Sequence, residues 1–203
     1  MARKLVGYGL SGHFNGTTFI EDKSSLEHCP NCGTRYDLFT HNPNYKMGRK
    51  RRGHLFYTYD LIPIVTQPFK DFVWENGYAG VSFLPFKRDL ERFHLIVENV
   101  IPYDWNVPEL KLDEYCNICK RYNSVATGTD DRFVAVNAPL DDGFYRTDLF
   151  FGHGNNKGPI YVVGLETVEK MKAFGLKGII FTPTFGLGDN GRETDEKPKI
   201  FYL

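Results

Sequence analysis

Four cysteines carry the clearest chemistry in this chain. They stand as two pairs, Cys29 and Cys32 in "HCPNCG" and Cys116 and Cys119 in "YCNICK". A two-residue spacing lets one tight turn aim two thiolates at one ion, and a structural zinc takes four ligands in a tetrahedron. Each pair is therefore half a site. The pairs lie 87 residues apart, far beyond the about 12 to 20 residues of compact zinc fingers and ribbons, so a shared ion needs a fold that joins two distant turns. The competing reading is four independent free or redox thiols. A redox Cys-x-x-Cys opens a helix after a strand, whereas "CPNCGTRYD" and "CNICKRYNS" run into turn-rich polar segments. We expect one structural Zn2+ held by Cys29, Cys32, Cys116 and Cys119.

The elements that must position these turns show an internal repeat. "GYAGVSFLPF" (77–86) and "GLKGIIFTPTF" (175–185) share the pattern Gly-x-x-Gly-[Val/Ile]-x-Phe-x-Pro, and residues 62–86 laid on 160–184 give six identities in 25. Each window opens with a short apolar strand, "LIPIV" or "IYVV". A candidate N-cap follows, Thr66 or Gly164, then about ten residues of helical pattern. Phe69, Phe72 and Val73 mark one apolar face, with Pro68 near the helix start; Leu165, Val168 and Met171 mark the other. Gly77 and Gly175 fall where a left-handed C-cap belongs. Cys32 precedes Asp60 by 28 residues and Cys119 precedes Asp148 by 29. The offset between cysteines and later blocks is absorbed, on this reading, by a Gly/Asn-rich surface loop at 150–159. The expected fold is α+β: two tandem, internally duplicated lobes of mixed sheet with one main helix each, 1–105 and 106–203, joined at the zinc site or fused as one compact domain.

Elsewhere "KLVGYGL" and "TTFI" are expected to pair as an N-terminal hairpin. "HLFYTYDLIPIV" reads as long and β-prone, "FHLIVENV" and "RFVAV" as strands, 188–198 as a polar loop and "KIFYL" as a final strand. Apolar residues make up 41% and Lys plus Arg (25) balances Asp plus Glu (25), so a real core is expected and the charge argues against nucleic acid as the main partner. No signal peptide or membrane span is legible, and a cytoplasmic chain is expected.

Other candidates are weaker. "KMGRKRR" (46–52) holds five cations and either contacts nucleic-acid phosphates or an acidic patch on a partner protein, or is a solvated loop. His28 flanks Cys29 and is either a residue that orients a ligand or a surface histidine; His153 in "GHGNN" is either catalytic or an ordinary loop residue, and the lack of a local carboxylate or nucleophile favours the latter. Asp130, Asp131, Asp141, Asp142, Asp189, Glu193, Asp195 and Glu196 form either a nucleic-acid-like acidic surface or ordinary solvated charge. Gly186 and Gly188 are a fragment of a nucleotide loop without its helix. No nucleophile elbow or kinase set occurs, so no enzymatic activity is expected.

The "CPNCG" knuckle, the mid-chain second Cys-x-x-Cys and the block "FYRTDLFFGHGNNKGPIYVVGLETVEKMKAFGLKGIIFTPTF" resemble the double-CxxCG family and related immunity proteins of bacterial polymorphic toxin systems. The second motif departs from the family pattern at its fifth position, where Lys120 stands for Gly. The resemblance spans about 29–185 and implies a cytosolic antidote that binds a cognate toxin domain. On our own reading of the chain, loops 40–53 and 150–158 are the candidate contact regions. A zinc-ribbon-type nucleic-acid-binding protein using the 46–52 loop is the alternative.

Overall fold

Residues 3–20, 26–48, 52–128, 132–187 and 201–203 are described by the computed structural model. In chain order its elements are β1 (Arg3–Phe14), β2 (Leu55–Tyr57), β3 (Pro63–Thr66), α1 (Gln67–Glu75), β4 (Val81–Pro85), β5 (Arg92–Val97), β6 (Val100–Ile101), β7 (Leu110–Cys116), β8 (Arg121–Thr127), β9 (Arg132–Phe133), β10 (Phe144–His153), β11 (Asn156–Val163), α2 (Leu165–Phe174), β12 (Ile179–Leu187) and β13 (Phe201–Tyr202). The fold is mixed α+β.

The helices form where the apolar spacing places them. Thr66 caps α1 with an extended backbone, Pro68 sits in the first turn, and Phe69, Phe72 and Val73 are its buried face. Asn76 closes α1 in a right-handed conformation, and the left-handed residue is the next one, Gly77, at φ 66°. In α2, Gly164 is the N-cap and Gly175, at φ 83°, the left-handed C-cap. Its buried face is Thr167, Val168 and Met171; Leu165 is only half-buried.

The strands run in the order β4-β5-β3-β2-β1-β11-β10-β8-β7, with β12 on the other edge of β1. Within it, β4-β5-β3-β2 are antiparallel neighbours, and so are β12-β1-β11-β10. Strand β1 links the two sets: Tyr8 to Leu10 pair with β11, and His13 and Phe14 pair in parallel with β2. At the crossing, a Cβ on Gly12 would lie 2.3 Å from the Leu55 carbonyl oxygen, so only glycine lets the backbones meet. By sequence β1 belongs to 1–105, yet it pairs with strands of 106–203.

One core serves both helices. Phe69, Phe72 and Val73 of α1 share a cluster with Val168 and Met171 of α2, Leu10 of β1, and Phe144 and Phe181. Phe72 meets Phe174 edge-on at 5.4 Å between centroids, and Tyr78 meets Phe144 at 5.2 Å. The halves are thus joined by buried aromatic surface as well as at the cysteines. On β3, Val65 points into this core, and Ile64 into a second cluster with Phe19, Tyr45, Met47 and Phe86.

Two expectations are corrected. "TTFI" makes no hairpin with β1, whose edges are taken by β11, β12 and β2. Instead Phe19 and Ile20 are buried, and their backbone N–H groups donate to the Asp60 carboxylate at 2.8 and 3.1 Å. The 150–159 segment is not a loop but most of a β-hairpin: Phe150, Phe151, Gly152 and His153 pair with Pro159, Gly158, Lys157 and Asn156. Its turn is Gly154–Asn155, with Gly154 at φ 57°, the Gly-Asn signature of a tight hairpin turn. "KIFYL" contributes β13, paired to β12; residues 188–198 lie outside the described residues.

Candidate metal centre

Both cysteine pairs sit on the same local structure. In the first, the Gly33 N–H donates to the Cys29 carbonyl at 2.9 Å and the Cys29 N–H to the Thr34 carbonyl at 2.9 Å, above a bridge between His28 and Arg35. In the second, the Lys120 N–H donates to the Cys116 carbonyl at 2.9 Å, at the tip of the β7–β8 hairpin, where Cys116 pairs with Arg121 and Tyr115 with Tyr122. The register is identical after a shift of 87. Each turn needs a left-handed fifth residue: Gly33 has φ 71° and Lys120 has φ 57°. Lys120 therefore departs from the motif in residue type and keeps its backbone.

The turns face each other. Cys29 Sγ lies 3.6 Å from Cys116 Sγ, and Cys32 Sγ lies 3.6 Å from Cys119 Sγ. All four sulfurs fall within 4.8 Å of one another. A tetrahedral ion with bonds of about 2.3 Å requires sulfurs about 3.8 Å apart, so the donor set fits a single tetrathiolate ion. Cys29 and Cys116 are buried, Cys32 and Cys119 partly so. Around the sulfurs, Asn31 Nδ2 donates to Cys116 Sγ at 3.4 Å, and Thr34 Oγ1 donates to Asn123 Oδ1 at 3.2 Å across the two turns.

The thiols are electrostatically unequal. The Asn31 amide, then the Cys119 backbone N–H, hold the Cys116 thiol down at about 6. The Cys32 backbone N–H lowers Cys29. Burial pushes Cys119 up to about 12, and its thiol contacts with Cys32 and Cys116 act in the same direction. Metal binding requires all four as thiolates, so the loaded site supplies the charge that Cys119 by itself resists.

The 26–48 segment is fastened to the sheet next to the site. The Arg35 N–H donates to Asn155 Oδ1 at 2.8 Å and Arg35 Nη2 to the Asn155 carbonyl at 2.9 Å, which seats the first knuckle on the β10–β11 turn. Arg121 Nη1 donates to the Arg35 and Tyr36 carbonyls, both at 3.0 Å. Beside these ties opens a groove of about 510 Å3, lined among others by Tyr36, Phe39, Trp105, Arg121, Arg146 and Phe150. Phe39 meets Phe150 edge-on at 5.5 Å, and Arg146 lies over the Phe39 ring at 4.9 Å. Trp105 and Tyr36 remain 50% and 40% exposed.

The other candidates disperse. Among the described residues His28 makes a backbone bridge and no contact to a sulfur; the residues that touch sulfurs are Asn31, inside the motif, at Cys116 and Thr34, just after it, at Cys32, and their polar side chains are the signal available in sequence. His153 ends β10 on the exposed side, opposite Asn156 and Ser124, with no carboxylate bonded to it among the described residues. Asp142 is a structural acceptor for Tyr78 Oη at 2.8 Å, Thr167 Oγ1 at 2.7 Å and Lys170 Nζ at 2.5 Å. Of the basic run, Lys46 and Arg52 are exposed while Met47 is buried; 49–51, like 130–131 and 188–200, fall outside the described residues. A Cβ on Gly186 would lie 2.3 Å from the Val136 carbonyl oxygen, so this glycine serves strand packing. Among the described residues no helix is long and apolar enough to cross a membrane. No protein-family model, no curated protein and no solved structure matches the chain.

Proposed function

We propose that this chain is an immunity protein that binds a cognate toxin domain and occludes it, with one structural zinc on Cys29, Cys32, Cys116 and Cys119 stiffening the binding face. The observation that carries the reading is the groove beside the cysteines: one wall is the knuckle segment around Tyr36 and Phe39, and the other holds Trp105, Arg146 and Phe150. Exposed aromatics and arginines are the residues enriched in protein-binding patches. A zinc tie across the two turns fixes that wall before the partner arrives, which lowers the ordering cost of association. The chain then acts by binding and not by catalysis, in the cytoplasm of a bacterium.

The same reading treats the chain as a duplication. Hairpin β2–β3, helix α1 and strand β4 match hairpin β10–β11, helix α2 and strand β12 in order and pairing. In the second unit β1 takes the place that β5 holds in the first. The two knuckles, with their common register, are the remaining pair of copies.

The test is co-expression with the toxin domain encoded beside this chain. Protection from growth arrest and a one-to-one complex are expected, both weakened by Trp105→Ala with Arg121→Glu. A folded, metal-loaded protein that neither protects nor binds contradicts the reading. The nucleic-acid alternative predicts instead salt-dependent binding that falls when Arg49, Lys50, Arg51 and Arg52 are neutralised.

A further inference from the structure

Lys157 is buried, and among the described residues no carboxylate pairs with it. It lies on β11 with 3% of its surface exposed, and its ammonium donates to the Tyr122 carbonyl on β8. Among the described residues the ion pairs are Arg92–Asp89, Lys170–Asp142, Lys170–Glu166 and Lys172–Glu169; none includes Lys157. Lysines are almost never fully buried unless paired, and an ammonium taken from water without a counter-charge costs several kcal/mol. Tyr122 adjoins the Cys116–Arg121 pair, and Lys157 lines the same groove as Lys120, next to Cys119, and Thr34, whose hydroxyl lies 3.3 Å from Cys32 Sγ. Burial pushes its pKa down and Arg121 adds to that, while Cys32 and Cys119 pull it up.

The sulfurs need the charge as much as the lysine does. Four thiolates around a divalent ion leave a net charge of −2, and two of the four cysteines are buried. Asn31 supplies a dipole on the Cys116 side. On the Cys32 and Cys119 side the cation that acts on the sulfurs is Lys157; Arg121 offers Cys119 its backbone N–H and gives its guanidinium to the Arg35 and Tyr36 carbonyls. Without the ion, the ammonium still occupies a buried place with no carboxylate partner among the described residues.

We propose that Lys157 is the counter-ion of the metal–tetrathiolate centre, placed to balance its negative charge and to strengthen metal binding. The assignment rests on the four-cysteine metal reading. It makes the contribution of Lys157 depend on the metal: favourable when the site is loaded, and dominated by the cost of burying the ammonium when the site is empty.

Two neutral variants test it. Lys157→Met removes the charge at similar length; Lys157→Gln removes it and keeps a donor for the Tyr122 carbonyl. Zinc affinity is measured by chelator competition at pH 7, and thermal stability with and without zinc. Both variants are expected to bind zinc about 10- to 100-fold more weakly, the usual effect of losing a partner of the ligands. Zinc-free Lys157→Met is expected to be at least as stable as the zinc-free parent. With iron in place of zinc, both variants should show a more negative reduction potential, because the lost cation had favoured the more negative ferrous complex. A Gln variant with parental zinc affinity and iron potential overturns the assignment. So does a Met variant that destabilises the zinc-free protein as much as the loaded one, which would make Lys157 a packing residue. If the parent binds zinc and the variants match it, only the counter-ion assignment falls; if the parent binds no zinc, the metal reading falls with it.

Discussion

Lys120 occupies a backbone position that its partner turn fills with glycine, and exchanging the residue types gives a quantitative prediction. Lys120 has φ 57° and Gly33 has φ 71°, each donating its N–H to the first cysteine of its own turn at 2.9 Å. An L-residue in this conformation costs roughly 1–2 kcal/mol. Glycine removes that strain but loses about 0.5–1 kcal/mol more backbone freedom on folding. Lys120→Gly should therefore stabilise the protein by about 0.5–1 kcal/mol. For a chain of this size each kcal/mol moves Tm by about 2–4 °C, so a rise of about 1–4 °C is expected. The mirror change, Gly33→Ala, meets no atom within 4 Å of the added Cβ, so its cost is backbone strain, about 1 kcal/mol. Thermal unfolding of the zinc-loaded proteins, with metal content checked in each, reads both effects. A Lys120→Gly protein that melts lower than the parent would refute the strain account and show that the lysine side chain contributes more than its backbone costs.

Further predictions concern the second core and its anchor. Burial, and after it the charge of His41 stacked 5.7 Å away, lowers the His94 pKa from 6.5 to about 3. Between these values the unfolded chain binds the extra proton, so stability is full above pH about 6.5 and is lost as pH falls toward 3, by at most about 5 kcal/mol. His94→Leu should flatten that part of a stability–pH profile measured by urea unfolding; an unchanged slope contradicts the burial argument. Asp60 is fully buried and accepts the Phe19 and Ile20 N–H groups. Asp60→Ala leaves both donors without their acceptor and should cost about 2–4 kcal/mol in urea unfolding, and a loss under 1 kcal/mol would show that water replaces the carboxylate.

The parts legible in the sequence were those set by local spacing. Phe69, Phe72 and Val73 repeat at helical intervals next to a cap and a proline, and they form the buried face of α1. The cysteine turns were legible because the spacing of each pair dictates its own geometry. What escaped was set by distant partners. Strand β1 looked like half of a hairpin, but its partners, β11 and β12, come from the far end of the chain, and the decisive acceptor for the segment after it is Asp60. The β7–β8 hairpin was hidden because "LKLDEYC" carries too little apolar alternation: most of β7 faces solvent, and among the described residues β8 is the one strand paired with it. At 150–159 the density of Gly and Asn suggested a loop, although Gly154–Asn155 at the centre of the segment is a turn pair. Asn31 and Lys157 escaped because their role is defined by sulfurs that only the fold brings near.

The central claim is that four distant thiolates hold one ion. The most direct measurement is X-ray absorption at the zinc edge of the purified, monodisperse protein, with metal content determined on the same sample. One zinc per chain with four sulfur neighbours at about 2.3 Å is the predicted result, falling below one per chain in Cys29→Ser and Cys119→Ser alike. A metal-free protein with parental stability, or a zinc with only two sulfur neighbours, would contradict it.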